Sequence, residues 1–371
     1  MTSKTTTTAA VLVAPNQFEV QELELPQIGD DAALLKIEAC GICGSDARIR
    51  RRVAAGPMIM GHENVGTIAA IGRAAAQRWR LQEGDRVALE EYVTCGACRW
   101  CRSELFRYCS LTDGGLGGPP LRYGSTPMSI SPGLWGGYSE YLYVHPGAVI
   151  HRIPSDTPAN LMTAFLPVAN GVELACGYGG VGIGSSVLIQ GPGEHGLAAT
   201  MAARAAGATC IIVAGLGVDA SRLEIARKVG AHHTVDVERE DLVTRVKDVT
   251  GGEGVDVVIN ITGAGTNTVE QGLAAAAKVA TVVISDAGKE SVSEASFGRR
   301  ELTLKSSNGH SYRSCERAID MIAAGEVDIA ALSVPPYGLD QAATAIDAVA
   351  GLIDRSITFA SIEPRLGPAP C

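Results

Sequence analysis

The sequence predicts an α/β fold in which a β-rich segment precedes a parallel sheet covered by helices on both faces. Three observations carry this. Short apolar or alternating runs, bounded by Pro, Asn and Gly-Asp, fill the first 90 residues and read as strands. From about residue 161, apolar runs of four to six residues alternate with helical stretches of about ten, the pattern of strands buried on both faces. Glycine accounts for 44 of 371 residues, above the usual ~7%, as a fold with many tight turns requires.

In order along the chain, Ala10–Ala14, Val20–Leu25 and Ala33–Glu38 read as the first strands, continued by Val65–Ile71 and Asp85–Glu90. Residues 110–137 are rich in Gly, Pro and Ser. They read as a long mobile or functional loop that shapes a weakly polar pocket wall. Trp135, Tyr138 and Phe165 either wall that pocket or fill a core. Ser186–Gln190 reads as a strand, His195–Ala206 as a helix, Cys210–Ala214 as a strand and Ala220–Val229 as a helix. Thr234–Val237, Val255–Ile259 and Val279–Ser285 are further strands, and Asp241–Val249 and Thr268–Ala277 the helices between them. The expected domains are 1–160, 161–306, and a segment 307–371 that returns to the first.

At roughly 150 residues per domain, 371 residues make two or three domains. The charge is −9, from 31 basic and 40 acidic residues, which disfavours nucleic acid or an acidic membrane surface as partners. Aromatic residues at 5% give no stacking platform for single strands. The longest charge-free stretches are broken by Gly and Ser, unlike a membrane span, and the N-terminal apolar run is too short for a signal peptide. The expected compartment is the cytosol, where ten cysteines mean thiols or metal ligands rather than a disulfide framework.

Six of those cysteines lie between 40 and 109. Cys95, Cys98, Cys101 and Cys109 are spaced by two, two and seven residues. Thiolates two residues apart can face one zinc ion, and four close its tetrahedral shell, so the site is structural. A ferredoxin-type cluster would want a close fourth Cys followed by Pro. Upstream, Cys40-Gly-Ile-Cys43-Gly-Ser45-Asp46 ends one predicted strand and Gly61-His62-Glu63-Asn64 starts another. A thiolate, an imidazole and a carboxylate on neighbouring loops suit a catalytic zinc with an open position, and Ser45 can pass on the proton of a metal-bound alcohol. Gly191-Pro-Gly193-Glu-His-Gly196 comes after the strand SVLIQ and opens a helix. In that setting Gly191 makes the tight turn, Gly193 lets backbone approach a pyrophosphate, and Gly196 lets helix and sheet close up. The helix N-terminus adds free N–H groups for the phosphates.

Together ACGICGSD, GHENVGTIAAIG, GDRV, the four-cysteine lobe, GGYSEY and GPGEHG make the chain resemble the zinc-containing alcohol dehydrogenases of the medium-chain dehydrogenase/reductase superfamily, over nearly its whole length. The resemblance implies a GroES-like catalytic domain with a structural zinc lobe at about 91–112. It also implies a Rossmann domain, hydride transfer in a cleft between the two, and a homodimer or homotetramer. It matches Cys43 and His62 to catalytic zinc ligands, Glu63 to the acidic neighbour that can approach the metal, and Ser45 to the proton-relay hydroxyl. Asp46 matches the acid that orients the ligand His.

Three positions depart from the pattern. Leu166 stands where the family carries a third ligand, and Cys176 is the next thiol along; Glu63 can complete a Cys43/His62/Glu63 shell instead. Arg48 stands where many relatives carry a relay His. Gly215 stands where an acid would grip the adenosine ribose. With that carboxylate gone and Ser221 and Arg222 close behind, the balance leans to NADP, with NAD open. Asn260–Gly263, including Thr262, and Ser285–Ala287 fall at strand ends where nicotinamide is expected. The expected activity is a zinc-dependent, NAD(P)-linked alcohol dehydrogenase or carbonyl reductase acting on CH–OH groups. The alternative is a reductase of an activated C=C or C=N bond without catalytic zinc. Cys43, Ser45, His62 and Glu63 together argue against a non-catalytic dinucleotide binder. His195 is read as touching phosphate or solvent, His232 and His233 as surface residues, and His310 and Cys371 have no assigned role.

Overall fold

The computed structural model describes residues 5–51, 56–113, 121–263, 267–285, 290, 292–332 and 335–366. The chain divides into two compact units, Met1–Leu166 with Leu332–Cys371, and Pro167–Ala331. The second unit therefore extends beyond residue 306 and includes the helix Tyr312–Ala323.

The first unit is antiparallel. Its strands are β1 (Thr6–Ala14), β2 (Gln17–Glu24), β3 (Ala33–Gly41), β4 (Met58–Ile59), β5 (Glu63–Ile71), β6 (Arg86–Val93), β7 (Tyr141–Val144) and β8 (Ala148–Arg152). β2, β1 and β4 form one small sheet. In the larger sheet β3 pairs with β5, β5 with β6 and β6 with β8, while β7 and the short strand Ser361–Ile362 share the other edge of β3. The register sets Gly41 opposite Glu63 and Cys40 opposite Asn64, so the C-terminal end of β3 and the N-terminal start of β5 meet at one end of the sheet. The GDRV motif ties this sheet to the chain just beyond β8. Arg86 donates from Nε to Glu38 at 2.8 Å and from Nη1 to the carbonyls of Pro154 (2.9 Å) and Thr157 (2.6 Å).

From residue 121 onward, the segment expected to be a mobile wall packs into this core instead. Residues 114–120 lie outside the described residues, but Tyr123, Leu134, Trp135 and Tyr138 are all buried. Trp135 packs against Tyr123 and Tyr143 with ring centroids 5.9 and 5.7 Å apart, and its Nε1 donates to the carbonyl of Ile130 at 2.8 Å. The glycines here serve close packing. A Cβ at Gly136 would lie 2.1 Å from the Ile59 carbonyl oxygen, and one at Gly137 would lie 1.7 Å from Asn64 Oδ1. Phe165 is likewise fully buried.

The second unit carries β9 (Ser186–Gln190), β10 (Cys210–Gly215), β11 (His233–Asp236), β12 (Val255–Asn260), β13 (Ala276–Ile284) and β14 (Thr303–Ser306). All six are parallel, in the order β11-β10-β9-β12-β13-β14. This is the doubly wound order with its switch point between β9 and β12, where such sheets bind ligands at the strands' C-terminal ends. The helix Glu194–Ala205 buries eight consecutive residues, Gly196 to Ala203. Small side chains make that possible: a Cβ at Gly171 would sit 2.4 Å from the Ala198 backbone.

One element differs from the sequence reading. The helix expected to run to Ala277 stops at Ala275, and β13 opens with a bulge, its pairing jumping from Val255–Ala276 to Val257–Thr281. Val279 in that bulge has φ +64° and is 71% exposed. A β-branched residue in left-handed backbone costs on the order of 1–2 kcal/mol, and here little packing offsets it. Val279→Gly is expected to raise unfolding stability by about 1 kcal/mol, read as a higher denaturant midpoint with unchanged slope.

Candidate active site

Pairing of β3 with β5 brings two motifs together. Cys43 comes two residues after β3, and His62 and Glu63 lie at the start of β5. One ligand atom from each of Cys43, His62 and Glu63 lies within 4.8 Å of the others, and all three residues are buried. The backbone is shaped for this. Gly61 has φ +93°, and a Cβ there would lie 2.5 Å from the Tyr138 ring and 2.7 Å from Cys40 Sγ. A Cβ at Gly41 would lie 2.2 Å from Glu63 Oε2, so glycine at 41 is what lets the Glu63 carboxylate lie across the strand.

Asp46 organises the group. It is fully buried, and its Oδ2 accepts from the Cys43 N–H (3.1 Å) and the Tyr138 hydroxyl (2.9 Å). Its Oδ1 faces His62 Nδ1 at 3.6 Å, an electrostatic contact longer than a hydrogen bond. Burial pushes the Asp46 carboxyl up to about 6. Burial also works against a charged His62, but Asp46 and the Cys43 thiol outweigh it and hold the imidazole above its ordinary range. The neighbouring Cys40 thiol is pushed up by burial and stays neutral. A divalent cation is what lets a thiolate, an imidazole and buried carboxylates coexist at such distances, so the donor set fits a metal. Ser45 is half-buried, opens the short helix Asp46–Ile49 and makes no side-chain cap hydrogen bond. Arg48 in that helix is exposed.

Sequence reasoning offers Tyr138 as a pocket wall or a core ring and gives its hydroxyl no role. Its partner is 92 residues away, and GGYSEY alone carries no sign of it. Tyr138→Phe is expected to weaken retention of a metal at this site about tenfold, as loss of an outer-shell hydrogen bond does. Competition with a chelator measures this, and an unchanged exchange rate refutes it.

The four-cysteine lobe closes on itself. Sγ atoms of Cys95, Cys98, Cys101 and Cys109 all lie within 4.8 Å of one another. Gly96, with φ +67°, makes the turn. Backbone N–H groups already point at sulfur: Cys98 N donates to Cys95, Cys101 N to Cys98 and Cys95 N to Cys109, at 3.3 to 3.5 Å. The Cys101 N–H, first among its donors, draws the Cys98 thiol down to about 5. Burial, and then sharing with Cys98 and Cys109, pushes Cys101 up to about 12. Four thiols so close ionise together only around a cation.

In the second unit, Gly191 ends β9 with φ +106°. A Cβ at Gly196 would lie 1.9 Å from the Gly191 carbonyl oxygen, so the helix can start only with glycine there. Gly193 caps that helix, and among the described residues nothing beyond its chain neighbours lies within 4 Å of where its Cβ would be. At the end of β12, Asn260 Oδ1 accepts from the Thr262 N–H (3.2 Å) and hydroxyl (2.9 Å). Ser285 N donates to the Asn260 carbonyl at 2.9 Å; residues 286 and 287 lie outside the described residues. Gly215 closes β10, and Arg222 is half-buried in the helix Ala220–Lys228.

Among the other candidates, Leu166 is buried at 2% exposure and offers no ligand. Cys176 lies in the second unit within the wide-turn helix Glu173–Tyr178, its thiol pushed up by burial. His195 Nε2 lies 3.4 Å from Asn170 Nδ2. His310 is a buried residue, 3.3 Å from Asn170 Oδ1. His232 is exposed, yet its Nδ1 accepts from Ile211 N at 2.9 Å, which ties the turn before β11 to β10. Cys371 lies outside the described residues.

Residues 29–155 match the alcohol dehydrogenase GroES-like domain family, and residues 196–324 the zinc-binding dehydrogenase family. A probable alcohol dehydrogenase of Mycobacterium tuberculosis is 37% identical over 337 residues, 87% of this chain and 89% of that one. The sorbitol dehydrogenase of Bacillus subtilis is 29% identical over 347 residues, 91% and 92% of the two chains. Among solved structures, a zinc-binding dehydrogenase from Sinorhizobium meliloti 1021 bound to NADP superposes with a TM-score of 0.82 at 27% identity, over 97% of this chain and 100% of that one.

Proposed function

Since the chain belongs to the zinc-type medium-chain dehydrogenase/reductase superfamily, and is thereby an oxidoreductase of the kind that acts on CH–OH groups, we propose that it is a zinc-dependent, nicotinamide-linked alcohol dehydrogenase or carbonyl reductase. The single observation that supports this most is the buried convergence of three different donors, Cys43, His62 and Glu63, within 4.8 Å of one another. Two zinc ions per chain are proposed, one on that triad and one on Cys95, Cys98, Cys101 and Cys109. Zinc on the triad supplies a Lewis acid for the substrate oxygen.

The chain's own residues do the rest. Asp46 holds the Cys43 backbone and faces His62, fixing both donors before substrate arrives. Ser45, two residues after Cys43 and not used in capping its helix, takes the hydroxyl proton of the alcohol and passes it outward. Gly191, Gly193 and Gly196 seat the pyrophosphate against the helix Glu194–Ala205. Thr262 and Ser285, anchored on Asn260, border the nicotinamide end. Gly215 and Arg222 border the adenosine ribose. Hydride transfer itself is the cofactor's chemistry. The reading includes a homo-oligomer in the cytoplasm acting on a small molecule. No helix among the described residues is long and apolar enough to cross a membrane.

Leu166, buried and without a donor at the third-ligand position, favours one second reading: reduction of an activated C=C or C=N bond with only the structural zinc. Metal content decides. Two zinc ions per chain with turnover of alcohols support the first reading; one zinc, with turnover only of enones or imines, supports the second.

A further inference from the structure

The lost acid at Gly215 looks, from sequence, like permission for a 2′-phosphate. We propose the opposite: the chain selects the unphosphorylated dinucleotide, NAD(H), and Asp236, at the end of the strand beside β10, and Glu238, in the turn just beyond it, select it. This rests on the dinucleotide reading above and concerns only which dinucleotide is bound.

In doubly wound folds the adenosine ribose meets the C-terminal end of the second strand, here Gly215 at the end of β10. No side chain fits at that position. A Cβ on Gly215 would lie 2.8 Å from Pro192 Cγ and 3.0 Å from its Cδ, and Pro192 belongs to the Gly191–Gly196 loop itself. The next two residues carry the backbone N–H groups a phosphate would use. Both are taken by the chain's own carboxylates. Leu216 N donates to Asp219 Oδ2 at 3.2 Å, and Gly217 N donates to Glu238 Oε2 at 2.8 Å.

Asp236 completes the arrangement from the end of β11. Its Oδ1 accepts from the Glu238 N–H at 3.1 Å. A Cβ on Gly217 would lie 2.8 Å from Glu238 Oε2 and 3.3 Å from Asp236 Oδ2. Two guanidinium groups lie close by in the chain, Arg222 in the helix Ala220–Lys228 and Arg239 next to Glu238. Arg239 reaches Asp236 at 3.3 Å but is 83% exposed, so solvent screens it. The local balance is negative. Carboxylates accept hydrogen bonds from ribose hydroxyls, whereas they repel a dianionic phosphate and leave it no unused N–H at Leu216 or Gly217. The acid missing at Gly215 on the second strand is thus supplied from the end of the third and the turn after it, because Pro192 fills the space beside Gly215.

The test is calorimetric titration of the full-length, zinc-loaded protein with NAD+ and NADP+, which reads binding and not turnover. NAD+ is expected to bind at least about tenfold more tightly, the scale of one exposed like-charge contact or more. The gap should narrow in high salt. Glu238→Gln with Asp236→Asn is expected to shrink the gap about tenfold by tightening NADP+. Glu238→Gln alone keeps an oxygen to accept the Gly217 N–H, so it serves if the double variant does not fold, and is expected to give part of that change. Gly215→Asp, which restores the acid on the second strand, is expected to bind NAD+ no better than the parent. Tighter binding of NADP+ by the parent protein overturns the proposal, as does an unchanged ratio in the folded Glu238→Gln variant. Binding of neither dinucleotide overturns the proposed function and this inference with it.

Discussion

His62→Ala is expected to lower kcat/KM for alcohol oxidation by about a thousandfold, the several kcal/mol that a Lewis acid contributes to a developing alkoxide. Zinc should fall from two ions per chain to one in the same preparation. Removing the imidazole removes one of the three donors of the proposed shell, which gains none from Leu166. It also strips Asp46 Oδ1 of the group it faces at 3.6 Å. Among the described residues the fully buried carboxylate then keeps the Cys43 N–H and the Tyr138 hydroxyl as partners, and uncompensated buried charge is costly. A lowered denaturation midpoint should accompany the lost activity. His62→Gln, which keeps a polar group beside Asp46, is expected to recover much of the stability and little of the activity. Full zinc content and full turnover in His62→Ala would dismiss the triad as the catalytic metal site.

Cys101→Ser should act on the other centre and mainly on folding. Structural zinc in small motifs supplies on the order of 10 kcal/mol of apparent binding free energy, all of it coupled to folding of the ligand loop. Its short helix Arg99–Arg102 buries no residue, and packing of the lobe rests on its second half, where Phe106 and Arg107 are buried and Phe106 meets Tyr92 at 5.6 Å. The variant is expected to lose one zinc per chain and to be nicked by protease between 95 and 109. Its kcat/KM should fall far less than that of His62→Ala, since none of Cys43, Ser45, His62 or Glu63 is touched. Retention of both zinc ions, or protease resistance equal to the parent, refutes a metal-held lobe.

How much of this the sequence makes visible depends on the distance over which each signal acts. The four cysteines and the Gly191–Gly196 turn are local patterns, and their geometry comes from spacing alone. Ser186–Gln190 is recovered as read, and the other strands of the parallel sheet largely so, because a strand buried on both faces has few alternatives. Roles set by a partner far along the chain leave no local trace. Tyr138 reads as one more ring until Asp46 is seen to receive its hydroxyl. Glu238 carries no sequence signal of the Gly217 N–H that donates to it. Val279 carries no mark of its left-handed backbone, since valine is a residue that sequence patterns place in regular strand. Gly136 and Gly137 mislead in a different way. Glycine signals both looseness and close approach, and only the Ile59 and Asn64 atoms against them separate the two.

Under the proposed zinc reading, the rung that joins Gly41 to Glu63 would also make metal uptake a checkpoint on assembly. Pairing of β3 with β5 to that last rung is what brings Cys43 and His62 together, and a slip of one residue would turn alternate side chains to the opposite face. Zinc would thus lock only a correctly zipped sheet, and a freshly made chain caught out of step would betray itself by surrendering its ion to a chelator.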